Sequence, residues 1–145
     1  MLLKGVKVIE HATYYAAPGA GGILSDWGAE VIKIEPPGGD PVRSNFPTKG
    51  TGKEHLTDNP AFDGDNRGKK SIVVDTRTED GREIVRKLVE TADVFLTNVR
   101  PGGIERSGLG YDVLSNRNPR LVYCALTGYG LEGPDANAPG FDVAS

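Results

Sequence analysis

The first 35 residues constrain the fold more than any other stretch. They read VKVIE, then HATYYAAPGAGGILSDW, then GAEVIKIE: an apolar strand, a small-residue turn leading into a helix, and a second apolar strand. The first strand spans Val6 to Glu10. Pro18 fits the first turn of the following helix, where its missing N–H costs nothing. That helix runs to about Trp27, with Gly28 as the residue just past its end. Val31 to Glu35 is the second strand. Two parallel strands joined by a helix carry their carboxyl ends, and any ligand, on one edge of the sheet.

The rest of the chain continues the pattern. Residues 36 to 70 show little periodicity, and a segment of that length in a compact domain is functional or partly helical. Ser71 to Asp75 is a third strand. Thr78 caps the next helix, with Glu79 and Asp80 suiting its positive end. Ile84, Val85, Leu88 and Val89 form the buried stripe of that helix. Val94 to Thr97 is the fourth strand. Helical turns are expected near Ile104 to Ser107 and Tyr111 to Asn116, then a fifth strand over Leu121 to Thr127 and a loop from Gly128 onward. Short apolar strands alternating with helices predict an α/β fold, a doubly wound, mainly parallel sheet with flanking helices.

Composition narrows the function. The 145 residues suffice for one domain with a core, and 26% charged against 37% hydrophobic residues is globular. A net charge of −3 argues against nucleic acid as a partner. No apolar run approaches the roughly 18 residues of a membrane span, and no signal peptide opens the chain. The one cysteine, Cys124, lies in LVYCAL and reads as a small buried hydrophobe. It excludes an internal disulfide framework and fits a reducing, cytoplasmic location. The 20 glycines and 10 prolines gather after strand ends, at Pro36 to Gly39, Pro101 to Gly103 and Gly128 to Gly140, as loops over a ligand site would.

Several motifs bear on that ligand. Gly19, Gly21 and Gly22 look like part of a dinucleotide fingerprint, and Glu35 ends the second strand where a ribose-binding acid belongs. But Leu24 holds the third glycine position, and His11 to Ala17 separate the strand from Pro18, so the glycines fall inside the helix. Close packing of that helix against a neighbour explains them better than NAD. His11 has no spaced set of metal ligands around it, and His55 lies in the unpatterned stretch, so His11 reads as a structural or supporting histidine and no metal is expected. Tyr14 and Tyr15 either line a pocket or pack. Lys69 and Lys70 read as a solvated turn. Arg77, past the third strand, either meets a phosphate or is structural. Asn98 to Arg106 has the composition of an anion-binding turn.

Taken together, GVKVIE, AAP, GAEVIKIEPPGGDPVR, NRGKKSIVVD, ADVFLTNVRPGGIERSGLGYDVL and LVYCALTGYGLEGPDANAPGFD resemble the amino-terminal part of class III CoA-transferases, the CaiB/BaiF family, over essentially the whole chain. Within it they look most like the 2-hydroxyacid enzymes acting on phenyllactate or 2-hydroxyisocaproate. The resemblance implies a Rossmann-like large domain, of which residues 1 to 145 would be the amino-terminal, CoA-binding part, and an interlocked homodimer. It implies transfer of CoA from an acyl-CoA to a free carboxylic acid, by way of an aspartyl anhydride and an aspartyl-CoA thioester. CoA is then a substrate, with no permanent cofactor.

Carried over by position, Thr13, Tyr14, Tyr15, Ala16 and Ala17 would lie along CoA near the reacting centre, Tyr15 standing where other members have a glutamine. Pro36 and Arg77 would lie near the adenosine. Asn98, Val99 and Arg106 would contact adenine and phosphate, and Asp142 would neighbour the active site. Phe141 stands where racemases of the family have an acid/base histidine, which favours transfer over racemisation. The resemblance puts the family's nucleophilic aspartate in a Gly-Asp motif a few dozen residues beyond Asp142, past Ser145, and none of the chain's own aspartates sits in that context, so the 145 residues alone are expected to be inactive. The alternative is a stand-alone nucleotide- or partner-binding module.

Overall fold

Five strands and six helices follow one another in the computed structural model, which describes residues 1–45 and 59–140. The strands are β1 (Lys7–His11), β2 (Glu30–Glu35), β3 (Lys70–Val73), β4 (Val94–Thr97) and β5 (Val122–Ala125). The helices are α1 (Ala16–Asp26), α2 (Val42–Asn45), α3 (Pro60–Asn66), α4 (Glu79–Val89), α5 (Pro101–Arg106) and α6 (Tyr111–Arg117). The strands form one sheet in the order β3-β2-β1-β4-β5, and all four neighbouring pairs are parallel. The chain turns outward in both directions from β1 and β4, so the crevice where their carboxyl ends diverge is the sheet's topological switch point.

Strand alternation sorts the apolar residues onto two faces. Ile9, Ile34 and Phe95 join Val85 and Val89 of α4, Ile104 of α5 and Leu114 of α6 in the larger core. Val8, Val31 and Leu96 join Ala17 and Ala29 under α1 in the smaller one. Thr78 caps α4 as expected, its hydroxyl accepting from Gly81 N at 3.1 Å. Helix α1 ends through Gly28, whose φ of +101° only glycine adopts without strain.

The stretch from 36 to 70 is partly helical as expected, holding α2 and α3 as far as it is described. The structure changes three other expectations. Ile84 is exposed, because the buried stripe of α4 is the narrower row Gly81, Val85, Val89. Cys124 is exposed as well. It faces the same side as Leu96, its register partner, but α1 packs on β1, β2 and β4 and leaves that face of the edge strand bare, with Val122 60% exposed. Lys69 is not in a solvated turn: its side chain is buried and its ammonium lies 2.7 Å from Glu10. Lys70 does face solvent, beside Glu30.

Candidate functional site

The switch point opens into a cleft of about 730 Å³. One wall is the turn after β1, Thr13 to Ala16, and the opposite wall is the turn after β4, Asn98 to Pro101. Leu126 to Gly128 and the segment Ala136, Ala138, Pro139 and Gly140 close the far side. Gly128 and Gly140 meet backbone to backbone there, and a Cβ on either would stand under 3 Å from the other's Cα.

Asn98 ties the two walls together. Its side-chain oxygen accepts from Thr13 N at 3.1 Å and its amide donates to Thr13 O at 2.7 Å. One side chain thus supplies the paired bonds that a neighbouring strand would have given. Thr97 continues the seam: its hydroxyl donates to His11 O at 2.9 Å and accepts from Val99 N at 3.1 Å. Tyr14 occupies the left-handed region at φ +64°, a conformation uncommon for a bulky residue. Its N–H donates to Asp40 Oδ1 at 3.2 Å.

Beside the cleft lies a smaller hollow of about 300 Å³, between Val99, Arg100, Gly103, Arg106 and Asn137. It carries two guanidinium groups, and Asn137 accepts from Gly102 N at 2.9 Å, pinning the tail segment to α5. Among the described residues the cleft is lined by no carboxylate, histidine or cysteine, and no group of three His, Cys, Asp or Glu side chains could hold a metal. Its polar lining offers hydroxyls, amides and the Arg100 cation. That set can bind and orient an anionic, partly apolar ligand; it holds no nucleophile of the carboxylate or thiol kind.

The structure brings Thr13, Tyr14, Tyr15, Ala16, Asn98 and Val99 together around the cleft, and places Arg106 in the adjoining hollow. Ala17 is buried in the α1 core rather than on the cleft. Pro36 and Arg77 sit past the carboxyl ends of β2 and β3, on the same sheet edge but outside both hollows. Arg77 is 83% exposed and grips Asp75 with two bonds of 2.8 Å, which holds the Asp75 carboxyl down to about 2. His55, Phe141 and Asp142 lie outside the described residues.

Glu35 is fully engaged. Arg43 grips it with two bonds, at 2.7 and 2.8 Å, Ser71 donates at 2.6 Å and Asp40 N at 3.0 Å. The Arg43 guanidinium holds its carboxyl down to about 2. With its oxygens so occupied, Glu35 has no free side to offer a ribose, and the glycines of α1 do packing work: Gly21 lets Glu10 against the helix and Gly22 lets the Asp65 carbonyl of α3 approach. His11 is packed against Phe95 with Nδ1 unpartnered among the described residues, and burial, with Lys33 nearby, lowers it to about 4. A neutral, enclosed imidazole of this kind supports the wall and does not face the cleft. Arg100 and Pro101 fall within the Asn98 to Arg106 segment that the sequence offered as an anion-binding turn; sequence reasoning missed the Leu126 and Thr127 wall, which precedes the glycine cluster that begins at Gly128. It also missed the charged side chains buried under α1, whose signal was Glu10 and Lys33 in the middle of apolar strands.

Comparison with known proteins agrees with this picture. The model of CoA-transferase family III matches residues 3–145. The chain is 44% identical over 144 residues to cinnamoyl-CoA:phenyllactate CoA-transferase of Clostridium sporogenes, covering 99% of this chain and 35% of that protein. It is 44% identical over 147 residues to (R)-2-hydroxy-4-methylpentanoate CoA-transferase of Clostridioides difficile, covering 100% of this chain and 36% of that protein. The crystal structure of a CaiB/BaiF family protein from Brucella suis superposes with a TM-score of 0.88 at 44% identity, over 98% of this chain and 37% of that one. The chain thus spans about a third of the length of the curated relatives it matches.

Proposed function

The chain belongs to CoA-transferase family III, and on that footing we propose that residues 1 to 145 carry the CoA-binding edge of an enzyme that moves CoA from an acyl-CoA to a free carboxylic acid. The observation that carries this reading is the cleft itself: two loops from the switch-point strands, locked by Asn98, face each other across a space of about 730 Å³ with Arg100 at its wall and Arg106 in the hollow beside it. The thioester end of the ligand lies along Thr13 to Ala16. The nucleotide end runs past Asn98, Val99 and Arg106, and Pro36 and Arg77 flank it farther along the same edge; Arg77 then exchanges Asp75 for a phosphate oxygen.

The chemistry would proceed through an aspartate. Its carboxylate attacks the thioester carbonyl and expels the CoA thiolate, leaving a mixed anhydride. The thiolate attacks the aspartyl carbonyl, releasing the donor acid and forming an aspartyl-CoA thioester. The acceptor carboxylate repeats the sequence in reverse, so that CoA leaves on the acceptor and the aspartate is regenerated. Among the described residues no carboxylate lines the cleft, and the nucleophile in this reading is an aspartate beyond Asp142, outside the 145 residues. The partner is a second copy of the chain, supported by the bare apolar face at Val122 and Leu126. Among the described residues no helix is long and apolar enough to cross a membrane, and a cytoplasmic location goes with this reading.

Calorimetric titration of the purified chain tests the proposal, with light scattering on the same sample. CoA is expected to bind and NAD not to, a dimer or larger species is expected, and Asn98→Ala is expected to weaken CoA by about tenfold through the two lost bonds. Binding of NAD without CoA, or CoA binding indifferent to Asn98→Ala, overturns the site. Robust acyl exchange by the chain alone overturns the placement of the nucleophile, and a clean monomer overturns the partner.

A further inference from the structure

Behind the Thr13–Ala16 wall, under α1, lies a cluster of two acidic and two basic side chains. Lys33 Nζ stands 3.0 Å from Glu10 Oε1 and 2.9 Å from Asp40 Oδ2, and Lys69 Nζ stands 2.7 Å from Glu10 Oε2. Lys33, Glu10 and Asp40 are each at most 1% exposed. Buried ion pairs are weak sources of stability, because desolvation offsets their attraction, and apolar replacements of the same volume often do as well. What this cluster does uniquely is reach the backbone of the cleft wall. Lys33 donates to Ala12 O at 2.9 Å, and Asp40 Oδ1 accepts from Tyr14 N at 3.2 Å and from Val42 N at 3.0 Å. With Asn98 on both polar groups of Thr13, the turn is held at three consecutive residues, ending at the left-handed Tyr14.

We infer that Lys33 and Asp40 are positioning residues for the ligand wall: they hold Ala12 and Tyr14 from behind and so fix the strained turn that presents residues 13 to 16 to the cleft. Lys69, through Glu10, anchors the cluster to β3 and α3, so the wall's shape depends on elements remote from the ligand. The inference rests on the CoA-binding reading for its functional half only.

The test is built on charge-neutral variants, since Lys33→Met alone strands a buried carboxylate. Lys33→Met/Asp40→Asn keeps an amide oxygen for Tyr14 N, and Lys33→Met/Asp40→Ala does not. Amide hydrogen exchange and CoA titration are run on both and on the natural chain. In the alanine variant, exchange at residues 13 to 15 is expected to accelerate about tenfold or more while Val8, Ile9 and Phe95 keep their protection, and CoA affinity to fall about tenfold. The asparagine variant, which keeps the bond from Tyr14 N but lacks the Lys33 bond to Ala12 O, is expected to fall between the natural chain and the alanine variant on both readouts, and an asparagine variant equal to the natural chain overturns the role of Lys33. Unchanged exchange at 13 to 15, or equal loss across the core, overturns the inference. A loosened turn with undiminished CoA affinity also overturns it, while leaving the CoA reading in place. If the natural chain takes up no CoA, it is the CoA reading that fails, and exchange at 13 to 15 alone decides whether the cluster holds the turn.

Discussion

The two faces of the sheet are built on opposite principles. Under α4, α5 and α6 the core is aliphatic and aromatic throughout, from Ile9 and Phe95 to Leu109 and Leu114. Under α1 the apolar cluster is small, its helix contribution is Ala17 with Ala20 and Leu24 half-buried beside it, and Glu10, Lys33, Asp40 and Lys69 place their charges on the same face. The apolar face has no directional requirement beyond shape, so it gives cohesion. The charged face has strict partners at fixed distances, so it gives position. The switch-point cleft opens where the second kind of packing touches the loop.

The largest effects separate the faces by how they can be repaired. Phe95→Ala is expected to cost about 3–5 kcal/mol as a core cavity, and Lys33→Met a similar ~3–5 kcal/mol as a stranded buried charge. The difference lies in rescue. Adding Asp40→Asn to Lys33→Met removes the uncompensated carboxylate and is expected to recover most of the loss, so that the double variant is more stable than the single one. A second substitution has no comparable route to repair a cavity at Phe95. Urea unfolding followed by circular dichroism reads all three, and a double variant no better than Lys33→Met would break the distinction.

Acid should undo the faces in sequence. His11, on the apolar side against Phe95, is lowered from 6.5 to about 4. Because its folded value is depressed, the unfolded chain takes the proton first. Stability is complete above pH 6.5 and declines as pH falls toward 4, by about 3 kcal/mol at most. Glu35 is lowered from 4.5 to about 2, chiefly by the Arg43 bonds. Its stabilisation is present above pH 4.5 and is lost as pH falls to 2, on the order of 2 kcal/mol after allowing for the half-exposed Arg43. A two-stage decline is therefore expected, and His11→Phe should flatten only the stage between pH 6.5 and 4. A profile unchanged by His11→Phe would mean that the imidazole is not enclosed.

Much of this was legible in the sequence, for a physical reason: the parallel strands are short apolar runs and α4 carries a side-chain cap, so Val94–Thr97 and the Thr78 cap were readable locally. The switch-point wall was readable as well, since Thr13 to Ala16 and Asn98 follow strand ends. What was hidden depended on partners far along the chain. Lys69 looks like a surface residue until Glu10, 59 positions earlier, is known to need a second cation. Glu35 looks like a ligand acid until Arg43 and Ser71 are seen to consume it. Cys124 reads as core because its strand is apolar, and only the reach of α1 decides that its face stays bare. Period-two alternation assigns a side, but not what covers that side.

The glycines offer the smallest and sharpest contrast. Gly21 and Gly64 are both helical, in α1 and α3, and on propensity alone alanine would improve either. A Cβ on Gly21 would collide with Glu10 Oε2 and come within 3.1 Å of Lys69 Nζ, while a Cβ on Gly64 would meet nothing within 4 Å. Glu10 cannot retreat without giving up Lys33 or Lys69, so Gly21→Ala is expected to destabilise by about 1–3 kcal/mol, as overpacking does. Gly64→Ala has no such neighbour and is expected to stabilise by about 0.5–1 kcal/mol through the unfolded state. Thermal unfolding of the two variants side by side reads the sign directly. If Gly21→Ala proves neutral, the charged face yields as an apolar one would, and the distinction between cohesion and position loses its ground at the residue where the helix meets the cluster.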